Sequence, residues 1–215
     1  MTDRCQPLLS VLAGRQALAD LDLGGWDRLL RQAGRAGLLS RVALEADAAG
    51  VTERVAEPVQ RHLIAARTLA ERQRRAVFWE AHKLDQALAP LHIPVVLMKG
   101  AAYLLADLPP ARGRLFADVD ILVPKPSLGR VEATLRLHGW HGTHHSAYDQ
   151  RYYREWMHEL PPLTHIRRQT HLDVHHNLLP ETARLKTRPE LVIEASRRLD
   201  GFAGLRVPAL EDLVL

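Results

Sequence analysis

This chain has little sulfur and no long apolar run. It contains one cysteine, Cys5, in 215 residues, so an internal disulfide framework is excluded, and such a composition fits a reducing compartment. No apolar segment approaches the roughly 20 residues that span a bilayer, and the N-terminus lacks the apolar core of a signal peptide. We therefore expect a cytoplasmic protein without a membrane-spanning segment.

Aromatic residues are also scarce. They make up 5% of the chain, which gives little support for a surface that stacks bases. The formal net charge of +4 permits binding of nucleotides, RNA or other polyanions, but the arginines are scattered among acids instead of forming one block. Hydrophobic residues at 47% and charged residues at 25% are typical of a globular protein large enough to bury a sizeable core.

The N-terminal third predicts helices. Leucine- and alanine-rich stretches at residues 26–39 and 41–49 are bounded by Gly24 and Gly25 before the first and by Gly50 after the second. Between Val59 and Leu88, apolar residues recur at steps of three and four, which predicts one long amphipathic helix. The apolar stripe of this helix is expected to pack inside the protein. A less favoured alternative is that the stripe forms a dimer interface. We therefore expect either a monomer or a homodimer. We predict a helical region over residues 1–90 and a catalytic core over residues 91–215.

Two aspartates, Asp118 and Asp120, stand one residue apart inside an apolar run. On a strand, residues i and i+2 share a face, so the two carboxylates are predicted to project together while Val119 and Ile121 pack into the core. Neighbouring carboxylates repel each other unless a cation lies between them. A hard divalent ion such as Mg2+ or Mn2+ removes that repulsion and leaves positions for phosphate and water. The pair therefore predicts metal-assisted phosphoryl chemistry.

A phosphate site is predicted just upstream. Residues 93–98 are typical of a short buried strand, and Gly100 falls where this strand gives way to an apolar helical stretch. A glycine there lets the backbone approach a ligand, and the start of a helix offers unpaired N–H groups. Lys99 would add a positive charge, although a lysine at a strand end is more often simply solvated.

A histidine-rich segment follows at residues 164–176. If residues 169–175 are extended, His171, Asp173 and His175 share one face of the strand, and Leu172 and Val174 share the other. Imidazole and carboxylate are also zinc ligands, but no helical His-Glu-x-x-His motif is present. A zinc hydrolase built on these histidines is therefore the less favoured alternative. A second group of histidines consists of His141, His144 and His145.

Four short motifs occur in order along the chain. They are Lys99-Gly100-Ala101, Arg114 four residues before Asp118, Asp118-Val-Asp120-Ile-Leu-Val123, and Leu172-Asp-Val-His175. Together they resemble the uncharacterised nucleotidyltransferase family of the DNA-polymerase-β-like superfamily, from about residue 60 to the C-terminus. The resemblance implies an α/β (α+β) fold, with a helical N-terminal part and a small mixed β-sheet core flanked by helices.

The resemblance also implies site residues. Asp118 and Asp120 would bind the metal as a two-ion site of Mg2+ or Mn2+, and Asp173 on a later strand would supply the third carboxylate. Without the resemblance, Asp173 would be assigned to the solvent face of its strand. The residues predicted to bind the nucleotide are Lys99, Gly100, Ala101, Arg114 and His175. Ala101 stands where the superfamily carries a serine, and Arg114 taken alone would more often be solvated.

The implied reaction moves a nucleoside monophosphate from a nucleoside triphosphate to an unidentified acceptor and releases pyrophosphate. The acceptor would be a small molecule, an RNA or a protein. Two alternatives stay open. One is a nucleotide-binding or partner-binding module without turnover, and the other is a toxin-like transferase that acts on tRNA or protein.

Three further segments carry structural expectations. Residues 127–138 suit a helix with Ser127 as its cap, closed by Gly139. Residues 148–159 are expected to form a helix over the active site that helps to define the acceptor pocket. Residues 207–215 are typical of a helix that stops in mid-pattern, so we expect a naturally short or truncated C-terminus.

Overall fold

The computed structural model describes residues 7–142 and 146–214. The side chains of residues 147, 149, 150, 154, 155 and 214 lie outside this description. The chain divides into two compact units. One contains the residues up to Arg75 together with Pro110–Leu115, and the other contains Ala76–Pro109 and the residues from Phe116 onward. The predicted division at residue 90 stays a prediction of domain organisation.

The first unit is helical. Its helices are α1 (Pro7–Leu12), α2 (Leu23–Arg35), α3 (Leu39–Ala48) and the first part of α4 (Glu57–Leu88). Leu29, Val42 and Leu63 are among the buried side chains of a core that α2, α3 and α4 share. The helices predicted for this region are present, and each one places an apolar face in that core.

Two details of α2 differ from the sequence prediction. Gly24 and Gly25 lie inside its first turn instead of preceding it, because the Asp22 side chain caps the helix by accepting a hydrogen bond from Gly25 N–H. The helix also ends at Arg35, four residues before the predicted end. Gly37 follows with a φ of 67°, a left-handed conformation that glycine adopts readily after a helix.

The long helix predicted from the spacing of apolar residues is confirmed. It runs for 32 residues as α4, from Glu57 to Leu88. Leu63, Ala81 and Leu84 are buried, as the stripe at three- and four-residue steps requires. The stripe therefore packs inside the protein.

The second unit is a seven-stranded mixed sheet with flanking helices. In chain order its elements are the end of α4, β1 (Val95–Met98), α5 (Lys99–Leu105), β2 (Asp118–Leu122), α6 (Leu128–Leu137), β3 (Trp140–Gly142), α7 (Ala147–Trp156), β4 (Leu163–His165), β5 (His171–His175), α8 (Pro189–Ala195), β6 (Arg197–Arg198) and β7 (Leu205–Val207). The strand order in the sheet is β3-β4-β5-β2-β1-β7-β6. Strands β2 and β5 are parallel, as are β1 and β7, and the remaining pairs are antiparallel. This is the predicted α/β fold with a mixed sheet.

The centre of the sheet, where β1 pairs with β2, is apolar around Asp120. Val96 and Leu97 of β1 and Ile121 and Leu122 of β2 have no exposed surface. Their antiparallel pairing places Met98 opposite Asp120. Because the strand residues around it are fully packed, the backbone that carries Asp120 is held rigidly.

Two buried acids of α4 hold the sheet unit together. Asp85 accepts hydrogen bonds from the backbone N–H groups of Ala203, Gly204 and Leu205, which lead into β7. Glu80, 1% exposed, forms a two-bond ion pair with Arg168. Both acids are satisfied by partners far away in sequence, so they are structural.

Other expectations are corrected. Ser127 precedes α6 as predicted, but its side chain makes no capping hydrogen bond. The C-terminal segment begins as strand β7 and continues as a 3-10 helix at Leu210–Val214, not as the start of an α-helix. In the part of the chain that is described, no helix combines the length and apolar character needed to cross a bilayer.

Candidate functional site

The three aspartates singled out by sequence lie on neighbouring strands. The parallel pairing of β2 with β5 sets Asp120 directly opposite Asp173, and Asp118 opposite His171. Leu172 and Val174 are buried, so the predicted alternation along β5 is confirmed. Asp118 is exposed, Asp120 is 3% exposed and Asp173 is partly buried. The sheet therefore brings a graded set of carboxylates, from solvent to interior, to one place.

Lys99 lies at the junction of β1 and α5. Helix α5 begins at Lys99, directly after the last residue of β1, and Lys99 has a φ of 47°. A left-handed conformation is uncommon for a residue with a side chain and often marks a functional position. The Lys99 ammonium group donates to Asp120 Oδ1 at 2.5 Å. Gly100 and Ala101 follow in the first turn of α5, and both are buried.

His175 joins two acids across the site. Its Nε2 lies 3.0 Å from Oδ1 of Asp120, and its Nδ1 lies 3.2 Å from Oε2 of Glu159. Only 4% of its side chain is exposed. The buried imidazole therefore helps to fix the direction of the Asp120 carboxylate.

Glu159 is a site residue that sequence reasoning missed. It lies between α7 and β4 and forms an isolated antiparallel bridge with His175. Backbone hydrogen bonds from Leu160 N–H to Val174 and from His176 N–H to His158 fix the segment against β5. A single bridge of this kind has no periodic pattern, so the only available signal was an acid just before the Pro161-Pro162 pair.

The protonation of Asp173 follows from its surroundings. Burial, followed by the negative charges of Glu159, Asp120 and Asp118, raises its pKa from 3.8 to about 6, although the charge of His175 acts in the opposite direction. Asp173 thus has a pKa of about 6 in the absence of a cation. Three other carboxylates lie close enough to act on its ionisation.

Asp120 and Lys99 behave as an ion pair. Burial alone would raise the pKa of Asp120, but the hydrogen bonds from His175 and Lys99 outweigh it and lower that pKa. Burial would likewise lower the pKa of Lys99, but the hydrogen bond and charge of Asp120 raise it. Asp120 therefore stays ionised, and Lys99 stays positively charged.

The remaining candidates fall outside this set. Arg114 belongs to the helical unit, where its N–H bonds to the carbonyl of Ala111, and its part in the site stays a prediction. His171 is exposed, and its Nδ1 lies 3.0 Å from the Thr164 hydroxyl. His144 and His145 lie outside the described residues.

The chemistry available here is defined by oxygen donors. The carboxylates of Asp118, Asp120 and Asp173 on adjacent strands form the ligand set that a hard divalent cation prefers, and Glu159 lies next to them. Burial, followed by the charges of the neighbouring carboxylates, raises the pKa of Asp173, and a bound cation would offset both effects. The residues present therefore fit a divalent metal, and Lys99 supplies a positive charge beside them.

Comparison of the sequence with known protein families matches residues 22–215 to the family described as uncharacterised nucleotidyltransferase. The match covers both units and contains every carboxylate of the site. Comparisons with curated proteins and with solved structures found no match to this chain.

Proposed function

Because the chain belongs to the uncharacterised nucleotidyltransferase family, we propose that it transfers a nucleoside monophosphate from a nucleoside triphosphate to an acceptor and releases pyrophosphate. The observation that carries the proposal is the register of β2 and β5, which sets Asp120 directly opposite Asp173 beside the exposed Asp118. A family of this kind implies a nucleotide substrate and typically uses divalent metal ions.

The carboxylates of Asp118, Asp120 and Asp173 would hold the metal. Two Mg2+ or Mn2+ ions would neutralise the triphosphate and stabilise the attacking and leaving oxygens of the displacement. Asp120 is suited to a fixed ligand, since His175 orients it and neighbouring strand residues are packed. Asp118 is exposed and accessible to a ligand entering from solvent.

Lys99 would exchange partners when the nucleotide binds. Without nucleotide it neutralises Asp120, and 54% of its side chain is still exposed. With a cation bound at Asp120, the Lys99 ammonium group would be free to pair with a phosphate oxygen. Gly100 and Ala101 continue the same turn and would bring the backbone close to the phosphates, while Arg114 is proposed as a further phosphate ligand.

Asp173 would take the proton of the acceptor hydroxyl. A general base must lie within reach of the proton that it takes, and the register of β2 and β5 places Asp173 beside the metal-binding Asp120. His175 would act on Asp120 as a positioning residue, because its ring contacts that carboxylate and Glu159. The nature of the acceptor, whether a small molecule, an RNA or a protein, is left open by these contacts.

The experiment is a calorimetric titration of the full chain with a non-hydrolysable nucleoside triphosphate. It is carried out once in Mg2+ and once in EDTA. We expect binding in Mg2+ to be lost in EDTA and strongly weakened in Asp118→Asn and Asp120→Asn, while exposed Asp200→Asn serves as the control. Equal affinities in all of these conditions would overturn the metal site. A second assay follows pyrophosphate release with candidate acceptors, and tight metal-dependent binding without any release would favour the binding-module alternative.

A further inference from the structure

A second group of ligand atoms adjoins the three aspartates and meets them at His175, whose Nε2 lies 3.0 Å from Oδ1 of Asp120. It consists of His158, Glu159 and His175, which contribute one nitrogen or oxygen each, and these three atoms all lie within 4.8 Å of one another. The side chains of His158 and Glu159 are 20% and 17% exposed, and that of His175 is 4% exposed. The group is therefore largely buried while still open on one side.

Two of the distances between these ligand atoms are close to those in a metal site. Glu159 Oε2 lies 3.2 Å from His175 Nδ1 and 3.8 Å from His158 Nε2. Tetrahedral zinc with bonds of about 2.0 to 2.1 Å separates its ligand atoms by about 3.4 Å. The three atoms thus need to move by a few tenths of an ångström to about an ångström to share one ion.

The hydrogen bonds around the group leave room for an ion. His158 Nδ1 is buried without a hydrogen-bond partner in the described part of the chain, and 3.8 Å from His158 Nε2 to Glu159 is longer than a hydrogen bond. The His158 ring is stacked on that of His175, with 5.3 Å between centroids. The nitrogen that faces Glu159, His158 Nε2, is therefore not held by a hydrogen bond to that carboxylate.

His175 is oriented as a metal ligand should be. In the tautomer whose Nε2–H donates to Asp120, Nδ1 is the ring atom turned towards Glu159 and can offer its lone pair to a metal ion. Metal-bound histidines generally donate their other N–H to a carboxylate, which fixes the ring. An ion at Nδ1 would also separate that lone pair from the carboxylate oxygen that now faces it.

We propose that His158, Glu159 and His175 form a site for a borderline transition-metal ion of the Zn2+ type, separate from the hard-cation site at the aspartates. Two imidazoles and one carboxylate are the ligand set of known zinc sites with an open position, and imidazole nitrogen discriminates against Mg2+. Through His175, an ion bound here would also fix the orientation of Asp120. The proposal stands independently of nucleotidyl transfer, since it rests on a different ligand set.

The test is metal binding by the untagged full chain, stripped with EDTA and studied without nucleotide or Mg2+. We expect one equivalent of Co2+ to give the intense visible absorption of a tetrahedral site, and Zn2+ to displace it stoichiometrically. His158→Ala and Glu159→Gln should each weaken Co2+ binding at least tenfold. His171→Ala removes an exposed histidine of β5, the strand that carries His175, and should leave Co2+ binding unchanged. Millimolar Mg2+ should not compete.

The outcomes separate the two sites. The proposal would be overturned if the wild type bound Co2+ no more tightly than His158→Ala does. It would also be overturned if His171→Ala lost as much Co2+ affinity as His158→Ala. Displacement of Co2+ by millimolar Mg2+ would likewise overturn it and would assign the ion to the aspartates. If His158→Ala does not fold, as judged by circular dichroism, His158→Gln provides the same comparison with a side chain of closer size. Failure of the zinc site would leave the Mg2+-dependent nucleotide titration unaffected.

Discussion

Replacing Asp173 by asparagine should stabilise the metal-free protein at neutral pH. The carboxylate of Asp173 is partly buried and faces the negative charges of Glu159, Asp120 and Asp118, so ionising it in the folded state is unfavourable. Asparagine has nearly the same shape but no charge. The variant should therefore lose the proposed base and gain stability at the same time.

The size of the gain follows from the pKa. The folded-state pKa of about 6, against an ordinary value of 3.8, corresponds to about 3 kcal/mol at about 1.4 kcal/mol per unit. Solvent screening reduces this figure, so the expected gain is about 1 to 3 kcal/mol. Because the folded-state pKa is raised, the folded state binds the proton more tightly. The destabilisation caused by ionising Asp173 in the folded state is thus absent below about pH 4. It grows between about pH 4 and pH 6 and has its full size above pH 6.

Urea denaturation in EDTA, followed by circular dichroism at pH 4.5 and pH 8, measures this gain. Asp173→Asn should unfold at higher urea than the wild type at pH 8, and the difference should shrink markedly at pH 4.5. Asp200→Asn, an exposed acid of the same unit, should change the free energy of unfolding by less than about 0.5 kcal/mol at either pH. A neutral or destabilising effect at pH 8, or a gain of the same size at both values, would refute the reasoning.

Three further predictions concern other contacts. Lys99→Ala should weaken Mg2+-dependent nucleotide binding by an amount that shrinks as salt increases, and a loss independent of ionic strength in the same calorimetric titration would contradict its role as a phosphate cation. Arg168→Ala should destabilise the fold by about 3 to 5 kcal/mol because it leaves Glu80 charged and buried, and pairing it with Glu80→Leu should restore much of the loss in urea denaturation. Asp85→Ala should lower the free energy of unfolding by about 3 kcal/mol because it leaves three backbone N–H groups without their acceptor. If Asp85→Ala lowers it no more than Asp85→Asn does, the lost acceptor is not the reason.

The parts of the fold that could be predicted from sequence have strong local periodicity. The long apolar stripe of α4 predicts a helix, and the alternation around Asp118 and Asp173 predicts two strands with acids on one face. Nucleotidyltransferase motifs then imply that these strands are neighbours, which their parallel pairing confirms.

The missed elements are short or depend on distant partners. Strands β3, β4, β6 and β7 have two or three residues each, too few to show a period. Glu80 looks like one of the solvated charges of a long helix, yet it is buried because Arg168, 88 residues away, pairs with it. Glu159 enters the site through one bridge to β5. Such contacts are set by tertiary packing, which a local pattern does not encode.

The capping details illustrate the same limit. Asp22 supplies the cap of α2 and allows two glycines inside the first turn, whereas Ser127 at a comparable position makes no capping hydrogen bond. Both residues are favourable caps by type. Asp22 has an extended backbone conformation, whereas Ser127 has a helical one. Whether the side chain caps its helix therefore depends on the backbone conformation with which the chain enters that helix.

The most direct test of the central claim is a crystal structure of the protein with Mn2+ and a non-hydrolysable nucleoside triphosphate, with the ions located by their anomalous scattering. We predict anomalous peaks at bonding distance from the carboxylates of Asp118, Asp120 and Asp173, with the triphosphate in contact with Lys99. A triphosphate bound elsewhere, or ions that leave these three carboxylates without a ligand, would contradict the assignment.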